Sequence, residues 1–212
     1  MSAFTLKIIA CIAMVIDHTG EFLFPGTVWM RCVGRLAFPI YCFLLTEGFR
    51  HSRNINHYLM RLLAFALVSE LPYNLINSGK FICPEHQNVF FTLFLGLLML
   101  YLLEWTESVT LKAFIVIASM AIAETFHFSY RYPGILKIYF FYSLRDFTMF
   151  RDLSILAVNI RLFKAGIQSY AGLALIPVSF YNGKRGPSMK YFFDAFYPIH
   201  LMVIWLVKKF AG

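Results

Sequence analysis

Apolar runs long enough to cross a bilayer, or nearly so, follow one another along this chain with only short polar joints between them. A membrane-spanning helix needs about 20 predominantly apolar residues. The chain therefore reads as an all-α, polytopic transmembrane helix bundle of about nine spans, with eight to ten as the range. The spans fall at about 4–23, 28–49, 58–77, 88–104, 109–126, 132–144, 150–163, 166–182 and 190–209. The sixth and seventh are short and carry Lys137, Asp152 and Arg161. A tilted pair, half-helices or one re-entrant unit would each accommodate them. No internal repeat and no low-complexity stretch divides the chain, so 1–212 reads as one domain with no soluble part.

Composition agrees. Of 212 residues, 59% are hydrophobic and 14% charged, against about 25% charged in ordinary soluble domains. Mean hydropathy is +0.66. Such a chain is a poor disordered protein, disulfide-rich secreted module or soluble nucleic-acid binder. The net charge of +8 reads instead as loop charge that sets topology. Arg50, Arg53 and Arg61, then Arg145 and Arg151, then Lys184, Arg185 and Lys190 fall on one side of a nine-span bundle. That side is expected to be cytoplasmic, in a bacterial inner membrane, with a cytoplasmic N-terminus and an external C-terminus. Lys208 and Lys209 oppose this arrangement without outweighing it. The apolar run after Lys7 continues into Asp17-His18-Thr19-Gly20 rather than a small-residue cleavage site, so it reads as a retained first helix. Cys11, Cys32, Cys42 and Cys83 lack metal-like spacing and are expected to be free thiols.

Ionisable groups at membrane depth are costly and each needs a partner or a job. Asp17 and His18 lie toward the outer end of the first span. Neighbours on a helix point about 100° apart, so each must find its partner elsewhere. Arg35 in the second span lies at a similar depth and is the candidate partner of Asp17. Glu70, in Ser69-Glu70-Leu71-Pro72, reaches a comparable level, and together these groups suggest a polar chamber. Tyr197 and His200 flank Pro198, which frees a backbone carbonyl and can open space in the last span. Asn182-Gly183-Lys184-Arg185-Gly186 combines glycines with charges suited to phosphate oxygens. Each feature also has a structural reading: helix packing for His200, an interfacial cap for Asp17-His18, neutralisation for Arg35, topology for Lys184-Arg185. No spacing such as HExxH is present, and no metal site is assigned.

The blocks Lys7-Ile8-Ile9-Ala10 through Asp17-His18, Gly34-Arg35-Leu36-Ala37-Phe38-Pro39, Ser69-Glu70-Leu71-Pro72, Asn88-Val89-Phe90-Phe91, Tyr181 to Gly186 and Tyr197-Pro198-Ile199-His200 together resemble the TraX family, the F-pilin acetylase and its relatives. The resemblance covers nearly the whole chain. It departs at about 127–165, where Ser129-Tyr130-Arg131-Tyr132-Pro133-Gly134 stands in place of the family's Tyr-Gly motif. It implies an integral membrane acetyltransferase, similar to the wider class of transmembrane acyltransferases. Acetyl-CoA would be the cytosolic donor, and the N-terminal amine of a pilin-like polypeptide the acceptor.

The residues and the resemblance lead to one expected mechanism. Lys184, Arg185, Asn182 and Arg61 would hold acetyl-CoA at the inner side. His18 would serve as general base, or as the carrier of a covalent acetyl group. Asp17 and Arg35 would set the local field, and His200 or Tyr197 would donate to the oxyanion. The competing readings are a proton-coupled transporter, whose mark would be an inverted repeat, and a non-catalytic pilin assembly factor.

Overall fold

The protein is described by a computed structural model covering residues 1–162 and 166–211. The boundary expected at 163, and residues 164, 165 and 212, lie outside the described residues. Helices follow the apolar runs: α1 (Ala3–Phe22), α2 (Val28–Gly34), α3 (Ala37–His51), α4 (Ile55–Ser78), α5 (Val89–Glu104), α6 (Val109–Thr125), α7 (Arg131–Ser143), α8 (Thr148–Ala157), α9 (Leu175–Ser179) and α10 (Lys190–Ala211). A π-helical turn, Val158–Leu162, extends α8, and a 3₁₀ helix, Ile167–Ala174, leads into α9. Among the described residues there is no strand, only an isolated bridge between Gln87 and Phe128.

Side-chain caps start several of these helices. Ser2, Asn54, Asn88 and Ser108 each accept a backbone N–H from the first turn of α1, α4, α5 and α6 respectively. The expected second span is broken into α2 and α3 at Arg35–Leu36. Among the described residues, three segments are long and apolar enough to cross a membrane by length and composition: Ala3–Phe22, Val28–His51 and Ile55–Ser78. The other expected spans correspond to shorter or less apolar helices. Outward-facing side chains such as Leu67, Val68, Phe114, Ile117, Phe150 and Val203 are apolar and exposed, as on a lipid-facing surface. The chain is thus a helical membrane protein.

Contacts along the bundle set the helix directions. Phe4 meets Phe193 at 5.6 Å between ring centroids, and Lys208 lies 5.5 Å from the Phe22 ring. Helices α1 and α10 therefore run side by side in the same direction. Arg61, near the start of α4, reaches Asp194, near the start of α10, at 2.9 Å, so α4 shares that direction. We call the end holding these three N-termini proximal and the opposite end distal. Leu6, Ala10, Ile40, Cys42, Ala66 and Leu97 are fully buried between the helices. Cys11, Cys32, Cys42 and Cys83 are all free.

Candidate active site

A cavity of about 1050 Å³ passes between α1, α3, α4 and α10. Its size lies at the upper end of small-molecule sites, which run to roughly 1,000 Å³. At the proximal end it is lined by five cations, Lys7, Arg53, Arg61, Arg185 and Lys190, against two carboxylates, Glu47 and Asp194. Halfway along stand Tyr41, Phe90 and Tyr197. Beyond them come Asp17, His18, Glu21, Arg31, Arg35, Tyr130 and Gln168, and the distal part is lined by Tyr73, Asn77 and Ser129.

Asp17 is the hub of the distal charge group. Arg35 donates from Nη2 to both carboxylate oxygens of Asp17 at 2.9 Å, and Arg31 Nη1 lies 2.9 Å from Asp17 Oδ1. Arg31 also pairs with Glu21. Two carboxylates and two guanidiniums therefore balance, and each side chain retains little exposure except Glu21. Gly34 makes the arrangement sterically feasible, because a Cβ there would overlap the Asp17 side chain. Asp17, His18 and Glu21 place donor atoms within 4.8 Å of one another, but Arg31 already bridges the two acids of that group.

His18 Nδ1 and His200 Nε2 are 2.7 Å apart, with the rings nearly parallel at an interplanar angle of 18°. His200 Nδ1 lies 2.8 Å from the Phe196 carbonyl oxygen. A carbonyl only accepts, so His200 Nδ1 carries the proton and donates. With both rings neutral, His200 Nε2 then accepts from His18 Nδ1–H. The chain of donors leaves the lone pair of His18 on Nε2. His18 lines the cavity whereas His200 stands behind it. This corrects the expectation that His200 donates to an oxyanion: both of its nitrogens are engaged, and its geometry is that of a residue orienting His18. Tyr197 remains at the wall, with its ring 6.2 Å from that of His18.

At the proximal end, the expected phosphate-binding residues separate. Arg185 and Arg61 line the cavity, with Arg61 paired to Asp194 and lying 4.9 Å from the Tyr58 ring. Lys184 and Asn182 are not among the lining residues. Asn182 Oδ1 accepts the Lys184 backbone N–H at 3.1 Å, a turn-forming contact. The loop glycines, Gly183 (φ 74°) and Gly186 (φ 70°), shape a backbone that pairs with residues 1–4. Ala3 N–H donates to Lys184 O and Phe4 N–H to Arg185 O. The loop is thereby fixed at the cavity mouth.

Glu70 does not join the chamber. It accepts from the backbone and side-chain amides of Asn88, and so anchors the start of α5. The sequence reading missed Arg31, Glu21, Lys7, Tyr41, Asp194 and Gln168. Arg31 carried a usable signal, since it lies one helical turn before Arg35 and both can face α1.

The fold and site define a helical membrane protein with a long ionisable cavity, cationic at one end and lined by His18 farther in. The chain belongs to the TraX family: the family model described as "TraX protein" matches residues 2–208. It is 34% identical, over 99% of this chain and 96% of the relative, to "Probable fimbrial assembly protein FimC, serogroup H1" of Dichelobacter nodosus. An uncharacterized protein of Rickettsia prowazekii (strain Madrid E) is 30% identical over 45% of this chain and 35% of its own length. No solved structure matches the chain.

Proposed function

We propose that this protein is an integral membrane acetyltransferase. It carries an acetyl group from acetyl-CoA to the N-terminal amine of a pilin-like polypeptide on the far side of the bacterial inner membrane. The observation that carries this reading is the cavity, lined by cations at its proximal mouth and by His18 farther in. The fimbrial assembly role in the name of the Dichelobacter nodosus relative supports a pilin-type acceptor.

In this reading the proximal end faces the cytosol, as the basic loops favour. The phosphates of acetyl-CoA meet Arg185 and Arg61, together with Lys7, Arg53 and Lys190. Lys7 and His18 are eleven residues apart on α1, about 16 Å along the helix axis, which suits an extended pantetheine arm. The acceptor amine arrives from the distal end and attacks the thioester carbonyl carbon. His18 Nε2 takes the proton that the amine sheds, and the carbonyl pair moves to oxygen. The C–S bond then breaks and the thiolate leaves, receiving the proton that His18 holds. Asp17, held between Arg31 and Arg35, fixes the field around this point. Transfer through an acetyl group on His18 Nε2 uses the same geometry in two steps.

The test uses purified full-length protein in lipid nanodiscs, labelled acetyl-CoA and a synthetic peptide with a free N-terminus. Label on the peptide amine, lost in His18→Ala while the variant keeps its thermal stability, is the expected result. Near-full transfer by His18→Ala would reject the assignment of the base.

A further inference from the structure

Glu21 follows His18 by three residues on α1, so it shares a face with His18 and lies about 4.5 Å nearer the distal end. Both side chains line the cavity. Glu21 is the more open of the distal carboxylates, its side chain 40% exposed against 11% for Asp17. A carboxylate oxygen of Glu21 and a ring nitrogen of His18 lie within 4.8 Å of each other. Asp17 is closed to a newcomer, because Arg35 takes both of its oxygens and Arg31 meets Oδ1 as well. Glu21 is held more loosely. Arg31 Nη1 reaches Glu21 Oε2, but the same nitrogen also serves Asp17 Oδ1 and the Asp17 carbonyl. A carboxylate offers about four lone-pair sites, so Glu21 keeps accepting capacity beside the cavity. Nearby, Tyr73, Asn77 and Ser129 line the distal part without charge. A positively charged group with several N–H donors suits this corner, since one nitrogen can stand within about 3 Å of both Glu21 and His18.

We infer that Glu21 determines specificity for the acceptor, its carboxylate docking a primary ammonium group beside His18. This rests on the acetyltransferase reading above and deepens it, because the site then selects a protonated amine over a hydroxyl. An α-amino group has an ordinary pKa of about 8, so it arrives at neutral pH mostly as the ammonium. An ammonium has no lone pair with which to attack, and one proton must leave before the chemistry. The exposure of Glu21 gives that proton a way to water. The free amine then forms the C–N bond to the thioester carbon, and its second proton goes to His18. As C=O re-forms, the C–S bond breaks and the thiolate takes the proton from His18. One ammonium and one thioester thus give one amide, one thiol and one proton released to solvent. A hydroxyl acceptor would bring no charge to set against Glu21.

The experiment uses full-length wild type, Glu21→Gln and Glu21→Asp in nanodiscs with two synthetic peptides. One carries a free N-terminal amine, and the other is identical except for a hydroxyl in place of that amine. Peptide affinity, acetyl transfer from labelled acetyl-CoA and thermal stability are read on the same preparations. Wild type is expected to bind the amine peptide about tenfold more tightly than the hydroxyl peptide, the scale of one charged hydrogen bond. In Glu21→Gln that preference should vanish through weaker binding of the amine peptide alone, with the KM for acetyl-CoA and the stability unchanged. Glu21→Asp should restore part of it. A preference unchanged in Glu21→Gln would overturn the inference while leaving the transferase reading intact. Equal weakening toward both peptides, or a loss matched by unfolding, would show that Glu21 only positions Arg31, and would also overturn it. A Glu21-dependent preference in a wild type that transfers no acetyl group would uphold the ammonium site and reject the transferase reading.

Discussion

Gly34 packs its backbone directly against the side chain of Asp17, so closely that a β-carbon at position 34 would overlap Asp17 Cβ and Cγ. The contact places the carboxylate where Arg31 and Arg35 both reach it, and it ties the exit of α2 to the distal part of α1. Neither the backbone of α2 nor that of α1 can yield without disturbing the ion pairs. Gly34→Ala is therefore expected to cost about 1–3 kcal/mol, the usual range for overpacking. It should also reduce transfer more than it reduces stability. Thermal unfolding and kcat measured on the same preparation check this, and a variant as stable and as active as wild type would contradict it.

The histidine pair makes a second prediction with a built-in control. Replacing His200 by Phe removes the acceptor that holds His18 Nδ1–H, so the imidazole is free to turn or to change tautomer. A loss of about 10²- to 10⁴-fold in kcat is expected, the range typical of general-base catalysis. His200→Gln restores a side-chain acceptor and should recover part of that loss. Equal activities for Phe and Gln at this position would show that the 2.7 Å contact orients nothing.

At the proximal mouth, two adjacent cations should behave differently. Arg185 lines the cavity and Lys184 does not. Arg185→Gln is expected to raise the KM for acetyl-CoA several-fold, more so at low ionic strength, with kcat nearly unchanged. Lys184→Gln should stay within about twofold of wild type on both constants, the scale of a screened surface charge. Initial-rate kinetics at two salt concentrations distinguish the two. A strong effect at Lys184 alone would place the nucleotide end elsewhere.

Asn88 offers a purely structural contrast. Its side chain caps α5 by accepting from Phe90 N–H and donates to Ala66 O and Glu70. Asn88→Ala should cost about 1–2 kcal/mol through the lost cap and the acceptors left behind. The folded fraction should keep its wild-type kcat, because neither Asn88 nor Glu70 reaches the cavity. Activity normalised to folded protein is the measurement.

The helical architecture was legible because bilayer-length apolar runs admit few alternatives, and the caps at Asn54, Asn88 and Ser108 sit where short polar residues precede those runs. The pairing of Asp17 with Arg35 was legible too, since depth in a membrane can be counted from sequence. Depth does not give azimuth. Glu70 lies on a face of α4 turned to Asn88, so it was placed by level and misplaced by direction. Arg31 stayed hidden because the break at Arg35–Leu36 sets α2 apart from α3, whereas the apolar run reads as one continuous span. Gln168 was invisible for another reason: a single neutral amide acquires significance only once its neighbour is known to be a guanidinium.

The side-by-side course of α1 and α10 divides the histidine pair between segments 182 residues apart in the chain. During synthesis, His18 therefore enters the bilayer long before the ring that will aim it. Until α10 has been inserted and the loop ahead of it has closed on residues 1–4, the imidazole has no fixed tautomer and the cationic mouth lacks Arg185 and Lys190. On the transferase reading, a chain that has not yet acquired α10 is therefore expected to be inactive.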